Sequence, residues 1–481
     1  MKRTALSLAL FLAFGFLTAT VNAQNASDAL RLSDIGLGSG ARALGMGNAY
    51  QSLSDDYSAA SFNPAGFGLL KRMEFAGGLN FSKFNNNTTF FGSTTDYSNS
   101  STNLNQFSFA FPFPTIRGSL VFAVGYNRDK DFNGAVNFNG FNNGPTSMIR
   151  ALEGPNDVSY NLFLTDTAGI TPINGNLNQD GTILSSGSIG KWSFSGAVEV
   201  ARNVFVGATL NIVTGSYNRT RDYYETDKRN VYGANFQTDP LDPRTADFQE
   251  FYLNDVLNWD ISGWDAKVGF IYQLSPMTRI GASIKFPTSY TIKEDYTVNG
   301  TSTFASHIFT LDPPFESKTE YDISSPYQLA GGASVNLKGL IVSGDVTYID
   351  FTQMEFKSGG DLDARTISAN NKIIKEDFRG VLNYNLGAEY TIPDINLRLR
   401  GGFIMNPSPY KDDPSERDRK YLTGGLGFLA DEAFAFDLAY AYGWWKDIGD
   451  NYTDEFYGSN VSRTFQDIRS HNLILSVSYR F

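Results

Sequence analysis

Apolar and polar residues alternate with a period of two along most of the chain after residue 73. The last residues, "HNLILSVSYRF", alternate in this way and end on Phe481. In "AFAFDLAYAYGW" one face carries Phe434, Phe436, Leu438, Tyr440, Tyr442 and Trp444. Successive side chains of a β-strand point to opposite faces, so the pattern predicts strands with one apolar and one polar face.

Fourteen such segments are predicted, although twelve or sixteen strands also fit the pattern because strand boundaries assigned from a sequence are imprecise by a few residues. Short connections alternate with long ones, and the long ones include 84–103, 131–187 and 217–262. The predicted strands are 73–83, 104–113, 118–130, 188–199, 203–216, 263–274, 278–292, 326–337, 339–352, 381–392, 395–406, 418–430, 433–446 and 471–481.

The residues on the polar face of the predicted strands distinguish two all-β architectures, a water-soluble sandwich and a membrane barrel. In a water-soluble sandwich that face is charged, whereas here it is mostly Gly, Ala, Ser and Asn. Aromatic residues also gather near strand ends, as at Trp444 and Trp445. Small lumen residues, aromatic girdles and alternating loop lengths favour an antiparallel transmembrane β-barrel over the sandwich. Its ionic lumen residues either line water or pair with one another; they are Lys285, Asp345, Glu389, Arg398, Arg400, Asp437 and Arg480.

The first 23 residues have the features of a secretory signal peptide. Lys2 and Arg3 precede a short apolar run, and "VNA" offers small residues for cleavage after Ala23. The whole chain carries a formal net charge of −11, and loss of these two cations makes the mature chain more acidic still. An acidic chain argues against nucleic acid as a partner, because phosphates require a basic face. The sequence contains no cysteine, which excludes disulfides and thiolate sites.

Signs of catalysis are weak. The two histidines, His307 and His471, have no nearby serine and carboxylate pattern. The stretch "DKDFNG", residues 129–134, matches the first half of a calcium loop, but Gly140 stands where the loop requires Glu. It therefore predicts a polar turn. We expect no catalytic residues, no metal site and no cofactor.

Two of the long connections are predicted to contain helices. A short one is expected in "TSMIRALEG", and a longer one in "TADFQEFYLNDVLNW", residues 245–259. The longer segment places apolar residues at helical spacing. These residues either cap the barrel mouth or form a landing surface for an apolar ligand. The ligand-binding candidates are Phe248, Phe251, Tyr252, Val256 and Leu257.

The segment before the first strand, residues 24–72, is the most specific part of the sequence. The stretch "GARALGMGNAYQSLSDDYSAASFNPAG", residues 40–66, combines a G-x-R-x-x-G-M-G-x-A run, an acidic step and Asn-Pro-Ala. It resembles the N-terminal signature of the FadL-type transporters of long-chain fatty acids and aromatic hydrocarbons. The barrel predicted from residues 73–481 and its terminal aromatic residue agree with that family.

The resemblance implies a fourteen-stranded barrel in the bacterial outer membrane with residues 24–72 folded inside as a hatch. It further implies passive uptake of a long-chain fatty acid or another hydrophobic molecule, which leaves sideways through a gap at a kinked strand. Gly125 is the candidate for the kink. The hatch or gating candidates are Gly45, Gly47, Phe62, Asn63, Pro64, Ala65 and Gly66.

The same resemblance leaves a second function open. Relatives that share the opening motif act as outer-membrane scaffolds of protein secretion systems and bind cargo proteins. The resemblance also implies two partners, which are outer-membrane lipid and the barrel assembly machinery that would recognise the strand ending at Phe481.

Overall fold

The computed structural model describes residues 24–154, 156–431, 433–454 and 456–481. The predicted signal peptide, residues 1–23, lies outside the described residues. Antiparallel β-strands dominate, and all belong to one sheet. The strands are β1 Glu74–Phe90, β2 Ser93–Phe113, β3 Leu120–Asp131, β4 Gly134–Asn142, β5 Leu177–Ala201, β6 Val204–Thr226, β7 Phe248–Gln273, β8 Thr278–Lys285, β9 Ser289–Phe304, β10 Ile308–Thr310, β11 Phe315–Ser324, β12 Gln328–Leu337, β13 Leu340–Asp350, β14 Glu355–Lys357, β15 Gly380–Ile392, β16 Leu397–Asn406, β17 Arg419–Ala430, β18 Phe434–Asp450 and β19 Arg463–Arg480.

The sheet closes on itself, because β1 pairs with β2 on one side and with β19 on the other. Several positions in the wall hold two consecutive strands with a short break between them: β3 and β4, β8 and β9, β11 and β12, β13 and β14. With each broken strand counted once, and the short β10 left out, the wall has fourteen strands. The prediction of an antiparallel fourteen-stranded barrel is confirmed.

Many strands run well beyond the membrane. A tilted strand crosses the hydrocarbon core in about 9–11 residues, whereas β5 has 25, β6 has 23 and β7 has 26. On β6 the outward side chains change from Leu210 and Ile212 to Thr214 and Asn218. The prediction of a loop at 84–103 was wrong for this reason: the hairpin of β1 and β2 turns only at 91–92, and above the lipid both faces are polar.

The helix predicted for residues 245–259 was also wrong. From Phe248 onward this segment is strand β7, which pairs with β6 on one side and β9 on the other. Its adjacent apolar pairs, Phe251 with Tyr252 and Val256 with Leu257, fit a helical spacing better than a strict alternation, but backbone pairing with two neighbours selects the strand. The helix predicted in "TSMIRALEG" is confirmed as α3.

Five α-helices occur in the described part of the chain, and the first two precede the barrel. None of the helices among the described residues has the length and apolar character needed to cross a membrane. The helices are α1 Ala26–Ser33, α2 Ala41–Gly45, α3 Met148–Ala151, α4 Val158–Asn161 and α5 Ala364–Asp377. Single 3₁₀ turns cover Tyr57–Ala60, Pro64–Leu69, Pro243–Thr245, Phe351–Gln353, Pro393–Ile395, Ser415–Arg417 and Ser459–Ser462.

Candidate functional site

Residues 24–73, called the N-terminal segment below, lie inside the barrel against the inner face of the wall. Glycines of the wall make this contact close. A Cβ atom on Gly269 would lie 1.9 Å from Asn63 Oδ1, and one on Gly207 would lie 2.4 Å from the carbonyl carbon of Pro64. The small inward residues noted in the sequence therefore leave room for the N-terminal segment.

Asn63 links the N-terminal segment to two wall strands. Its Nδ2 donates to the carbonyl oxygens of Gln51 at 2.7 Å, Phe270 at 3.0 Å and Ala282 at 3.3 Å. Its Oδ1 accepts from the backbone N–H of Ala65 at 3.1 Å and so caps the 3₁₀ turn that Pro64 begins. One buried amide thus closes a local turn and anchors it to β7 and β8.

The rest of the Asn-Pro turn is enclosed. Phe62 meets Tyr50 edge to face, with ring centroids 5.7 Å apart. Ala65 is fully buried with Phe205 and Ile271 of the wall. A Cβ atom on Gly66 would lie 2.0 Å from the carbonyl oxygen of Ser54, so only glycine fits there.

Gly45 and Gly47 bring a second turn against the opposite wall. Gly47 has a φ of +59°, and a Cβ atom there would lie 2.4 Å from the carbonyl oxygen of Leu386. Gly45 contacts Arg400 and Gly425. The structure therefore brings the predicted hatch residues together at two contacts between the N-terminal segment and the wall.

Ion pairs join the same two parts of the protein. Arg42 contacts Asp55 at 2.5 Å and Glu389 at 2.9 Å. Glu389 also accepts from Arg400 at 2.7 Å, and Arg400 contacts Asp437 at 2.6 Å. Glu389, Arg400 and Asp437 therefore pair with one another inside the lumen, which is one of the two alternatives predicted for the ionic lumen residues. The pairs cross from the N-terminal segment to three wall strands.

Two carboxylates of the N-terminal segment, Asp34 and Asp55, are stabilised in the charged form. Burial opposes ionisation of Asp55, but attraction to Arg42 and Arg279 outweighs it and lowers the pKa of Asp55. Burial likewise opposes ionisation of Asp34, but Arg419 and Lys130 lower its pKa. A carboxyl group with a lowered pKa stabilises the folded state above its ordinary pKa, about 4, so these ion pairs hold at neutral pH.

The third wall strand is interrupted beside the N-terminal segment. β3 ends at Asp131 and β4 begins at Gly134, so a polar turn occurs in "DKDFNG" as predicted. The ladder between β2 and β3 ends at the pair Gln106 and Asn127. Above that pair, the described residues contain no ladder between β2 and β4. We call this discontinuity the seam.

Gly125 is not the site of the interruption. It pairs with Ser108 on one side and Ser193 on the other, inside ladders that continue past it. A Cβ atom there would lie 2.3 Å from the carbonyl oxygen of Phe107. The glycine therefore serves close packing, and the ladder breaks further along the strand.

Side chains close the seam on its inner side. Asn133 Nδ2 donates to Ser101 Oγ at 2.7 Å and to Ser82 Oγ at 2.8 Å, and the two hydroxyls lie 3.0 Å apart. Lys130 Nζ donates to the carbonyl oxygens of Arg31 and Asp34. The seam is thus closed by polar contacts instead of a backbone ladder. The sequence did not predict a role for Ser82, Ser101 or Asn133, because isolated Ser and Asn residues occur throughout the chain.

A cavity of about 590 Å³ adjoins the seam. All nine residues 128–136 line it, and the opposite wall includes Trp445 and Ile468. Leu30 and Ile35 of the N-terminal segment also line it. The volume lies within the range of sites that enclose small organic ligands, about 300–1,000 Å³. Its lining mixes apolar side chains with the ion pair of Arg419 and Asp34.

The candidate ligand-binding residues fall on both faces of β7. Phe248 and Phe251 are almost fully buried in an apolar cluster beneath the outer loops, which also contains Leu162 and Phe304. Leu257 is buried in a separate cluster that includes residues of α1 and α5. These contacts fit a cap over the barrel mouth. The single landing stripe expected from helical spacing does not exist.

The other two candidates point outward. Tyr252 stacks on Tyr224 with ring centroids 4.7 Å apart, and its hydroxyl donates to Asp222 Oδ1 at 2.7 Å. Val256 lies on the same outer face and is half-buried. Both side chains stand outside the lumen, so only residues on the inner face can contact a molecule inside it.

Replacing Phe251 with Ala is expected to loosen the mouth cap. Removal of a fully buried phenyl ring costs about 3–5 kcal/mol of stability. We expect faster proteolysis within residues 143–176 and a lower unfolding temperature for the purified protein. Val256→Ala on the same strand is the matched control and should change neither. Equal protease resistance of the two variants would contradict the cap.

The sequence and the fold were compared with those of known proteins, and the sequence matches a known family. Residues 189–481 match the family described as outer membrane protein transport protein (OMPP1/FadL/TodX). No curated protein matches the sequence significantly. The toluene transporter TodX of Pseudomonas putida superposes with a TM-score of 0.57 at 15% identity, covering 92% of this chain and 98% of that chain.

A FadL homologue of Pseudomonas aeruginosa superposes equally well, with a TM-score of 0.57 at 12% identity. The match covers 93% of this chain and 99% of that chain. At such low identity the two superpositions establish a common fold. The family match, which spans more than half of the chain, agrees with them.

Proposed function

The chain belongs to the outer membrane protein transport family (OMPP1/FadL/TodX), and we propose that it takes up long hydrophobic molecules passively, long-chain fatty acids among them. The observation that carries the proposal is the position of the cavity, which ends at an interrupted wall strand. An apolar molecule crosses a water-filled lumen poorly because transfer of apolar surface into water is unfavourable. A sideways exit releases it directly into lipid.

The proposed route has three stages. A ligand first enters between the outer loops, where Phe248 and Phe251 form part of the cap. It then occupies the cavity beside α1. Lastly it passes the seam once the contacts of Asn133 with Ser82 and Ser101 separate.

In this proposal the N-terminal segment acts as a hatch. It would obstruct the axial path, and we expect small solutes to be retained while it stays against the wall. Asn63 and Gly47 hold its two turns against the wall. Displacement of the segment would change both the cavity and the seam, because Lys130 beside the seam binds two of its carbonyl groups.

We further propose that Phe481 serves recognition by the barrel assembly machinery. It is half-exposed on the barrel exterior and stacks on Tyr479. Its backbone pairs with Met73 in both directions at 3.1 Å. The terminal ring is therefore accessible while its backbone is already paired.

Uptake of labelled oleate and of labelled toluene, measured in cells with and without the protein, tests the function and the substrate class together. We expect oleate uptake to require the protein and to return on complementation. The surface proteins of the same cells are compared in parallel. Unchanged uptake of both compounds together with a loss of surface proteins would overturn the proposal and favour the secretion scaffold.

A further inference from the structure

The outer surface of the barrel changes character at one level along β19 and β1. On β19 the outward residues from Tyr479 to Leu473 are apolar, and on β1 the same holds from Phe75 to Phe81. The next outward residues toward the long loops are His471 and Lys83. Long loops face the cell exterior in barrels of this kind, so this level is the outer membrane boundary.

The strand register gathers several cations at that level. Lys83 lies opposite His471, and Arg469 follows on the same outward row. Two strands away from Arg469, Lys420 lies opposite Trp444. Neighbouring strands are about 4.8 Å apart and alternate residues about 6.7 Å apart. Side chains as long as those of Lys and Arg can therefore converge on one ligand of sugar-phosphate size.

Aromatic residues hold the His471 imidazole beside the cationic patch, which we define as Lys83, Arg469 and Lys420. Tyr440 OH and His471 Nδ1 lie 2.7 Å apart in a hydrogen bond. Tyr442 also packs on the imidazole, with ring centroids 5.4 Å apart. These contacts fix the imidazole at the boundary.

Two members of the patch are not engaged by carboxylates. Across the part of the chain that the structure describes, Lys83 and Arg469 form no ion pair. Lys420 donates to the carbonyl oxygen of Ser415 at 2.8 Å. Three acids lie nearby: Asp467 and Asp96 one step further along the outer rows of β19 and β2, and Glu416, which is bound by Lys446. The chain carries a net charge of −11, so a cationic patch runs against its composition.

Strands β6, β9 and β11 lack this arrangement among their described residues. The outward row of β6 continues above the apolar band as Thr214 and Asn218. On β9 and β11 the exposed lysines are paired, Lys293 with Glu320 at 3.5 Å and Lys318 with Asp295 at 3.1 Å. The unpaired cations of β1 and β19 therefore distinguish these two strands from β6, β9 and β11.

We propose that the cationic patch binds the phosphate groups of a phosphorylated lipid in the outer leaflet. Charge complementarity carries the assignment, because the cations stand at headgroup depth directly above an apolar wall that acyl chains can cover. Basic residues near a membrane surface attract anionic headgroups with about 1 kcal/mol each. The inference rests on placement of the barrel in the outer membrane and is independent of the transported compound.

The test compares Lys83→Gln/Arg469→Gln with the wild type as full-length protein in detergent. The probes are a diphosphorylated glucosamine glycolipid, its dephosphorylated form and inorganic phosphate. Native mass spectrometry gives the bound fraction of each. Loss of two contacts of about 1 kcal/mol predicts roughly thirtyfold weaker binding of the diphosphorylated lipid. Lys293→Gln/Lys318→Gln is the charge-matched control and should bind as the wild type does.

Three other results would contradict the proposed phosphate site. Equal losses in the two double variants, or equal binding of the dephosphorylated lipid, would overturn the phosphate site. Competition by inorganic phosphate as strong as that of the lipid would show a free-anion site instead. Oleate uptake measured on the same variants separates this inference from transport, since lipid binding can fail while uptake persists.

Discussion

A cleavable cross-link between residues 101 and 133 is expected to reduce uptake of the hydrophobic substrate to the level of cells lacking the protein. The wild type contains no cysteine, so Ser101→Cys/Asn133→Cys presents only the two introduced thiols. The wild-type side chains lie 2.7 Å apart across the seam, within reach of a short bis-methanethiosulfonate, which forms a disulfide with each thiol and releases two methanesulfinate ions. The cross-link would prevent β2 and the interrupted strand from separating, and a reductant should restore uptake in the same sample.

A second cysteine pair controls for the chemistry. Thr89 and Thr94 face each other at the tip of the first hairpin, with hydroxyl oxygens 3.0 Å apart. Thr89→Cys/Thr94→Cys joins β1 to β2, which are already paired along their length, and does not cross the seam, so it should leave uptake unchanged. Full uptake through a completely cross-linked seam would refute lateral exit. Loss of uptake in both pairs would refute the specific role of residues 101 and 133.

Replacing Asn63 and Pro64 together with Ala is expected to release the N-terminal segment from the wall while the barrel still assembles. The buried carbonyl group of Gln51 and the partly buried carbonyl groups of Phe270 and Ala282 would each lose a donor, at a cost of about 1–3 kcal/mol for a buried group. A loss of about 3 kcal/mol raises the displaced population roughly a hundredfold. We expect larger single-channel conductance and higher sensitivity of cells to bulky antibiotics.

Asn336→Ala supplies the control for this second prediction. Asn336 Oδ1 accepts from the backbone N–H of Gly339 at 3.1 Å in a short turn of the wall and does not contact the N-terminal segment. The control variant also loses an asparagine hydrogen bond, but its conductance should match the wild type. Wild-type conductance in the Asn63 and Pro64 variant would contradict the hatch.

The wall was predictable wherever one face of a strand meets lipid. There the side-chain period of two is visible, as in Phe434 to Trp444, and every one of the fourteen predicted strands has a counterpart in the wall. The pattern fails above the membrane, where 84–90 and 93–103 are paired strands with polar residues on both faces. It fails again at Phe248 to Leu257, because apolar residues inside a loop-covered mouth need not alternate with polar ones.

The contents of the lumen were predictable in part. The motif at residues 40–66 indicated a segment inside the barrel, and the abundance of inward glycines agrees with it. The sequence could not reveal which wall residues meet it. Asn63 binds carbonyl groups more than 200 positions away, and Arg42 binds Glu389, so these partners are neighbours only after closure of the barrel.

The sequence by itself determined the antiparallel barrel, because local alternation shows one apolar and one polar face on each strand. The alternation favoured fourteen strands, and the resemblance carried by the motif at residues 40–66 implied the inserted N-terminal segment. Only the tertiary structure decided where the wall is interrupted and what closes it. Gly125 lies in an intact ladder, while the interruption depends on how Asn133, Ser82 and Ser101 come together from three strands. Backbone pairing between distant segments sets that register, and no local pattern encodes it.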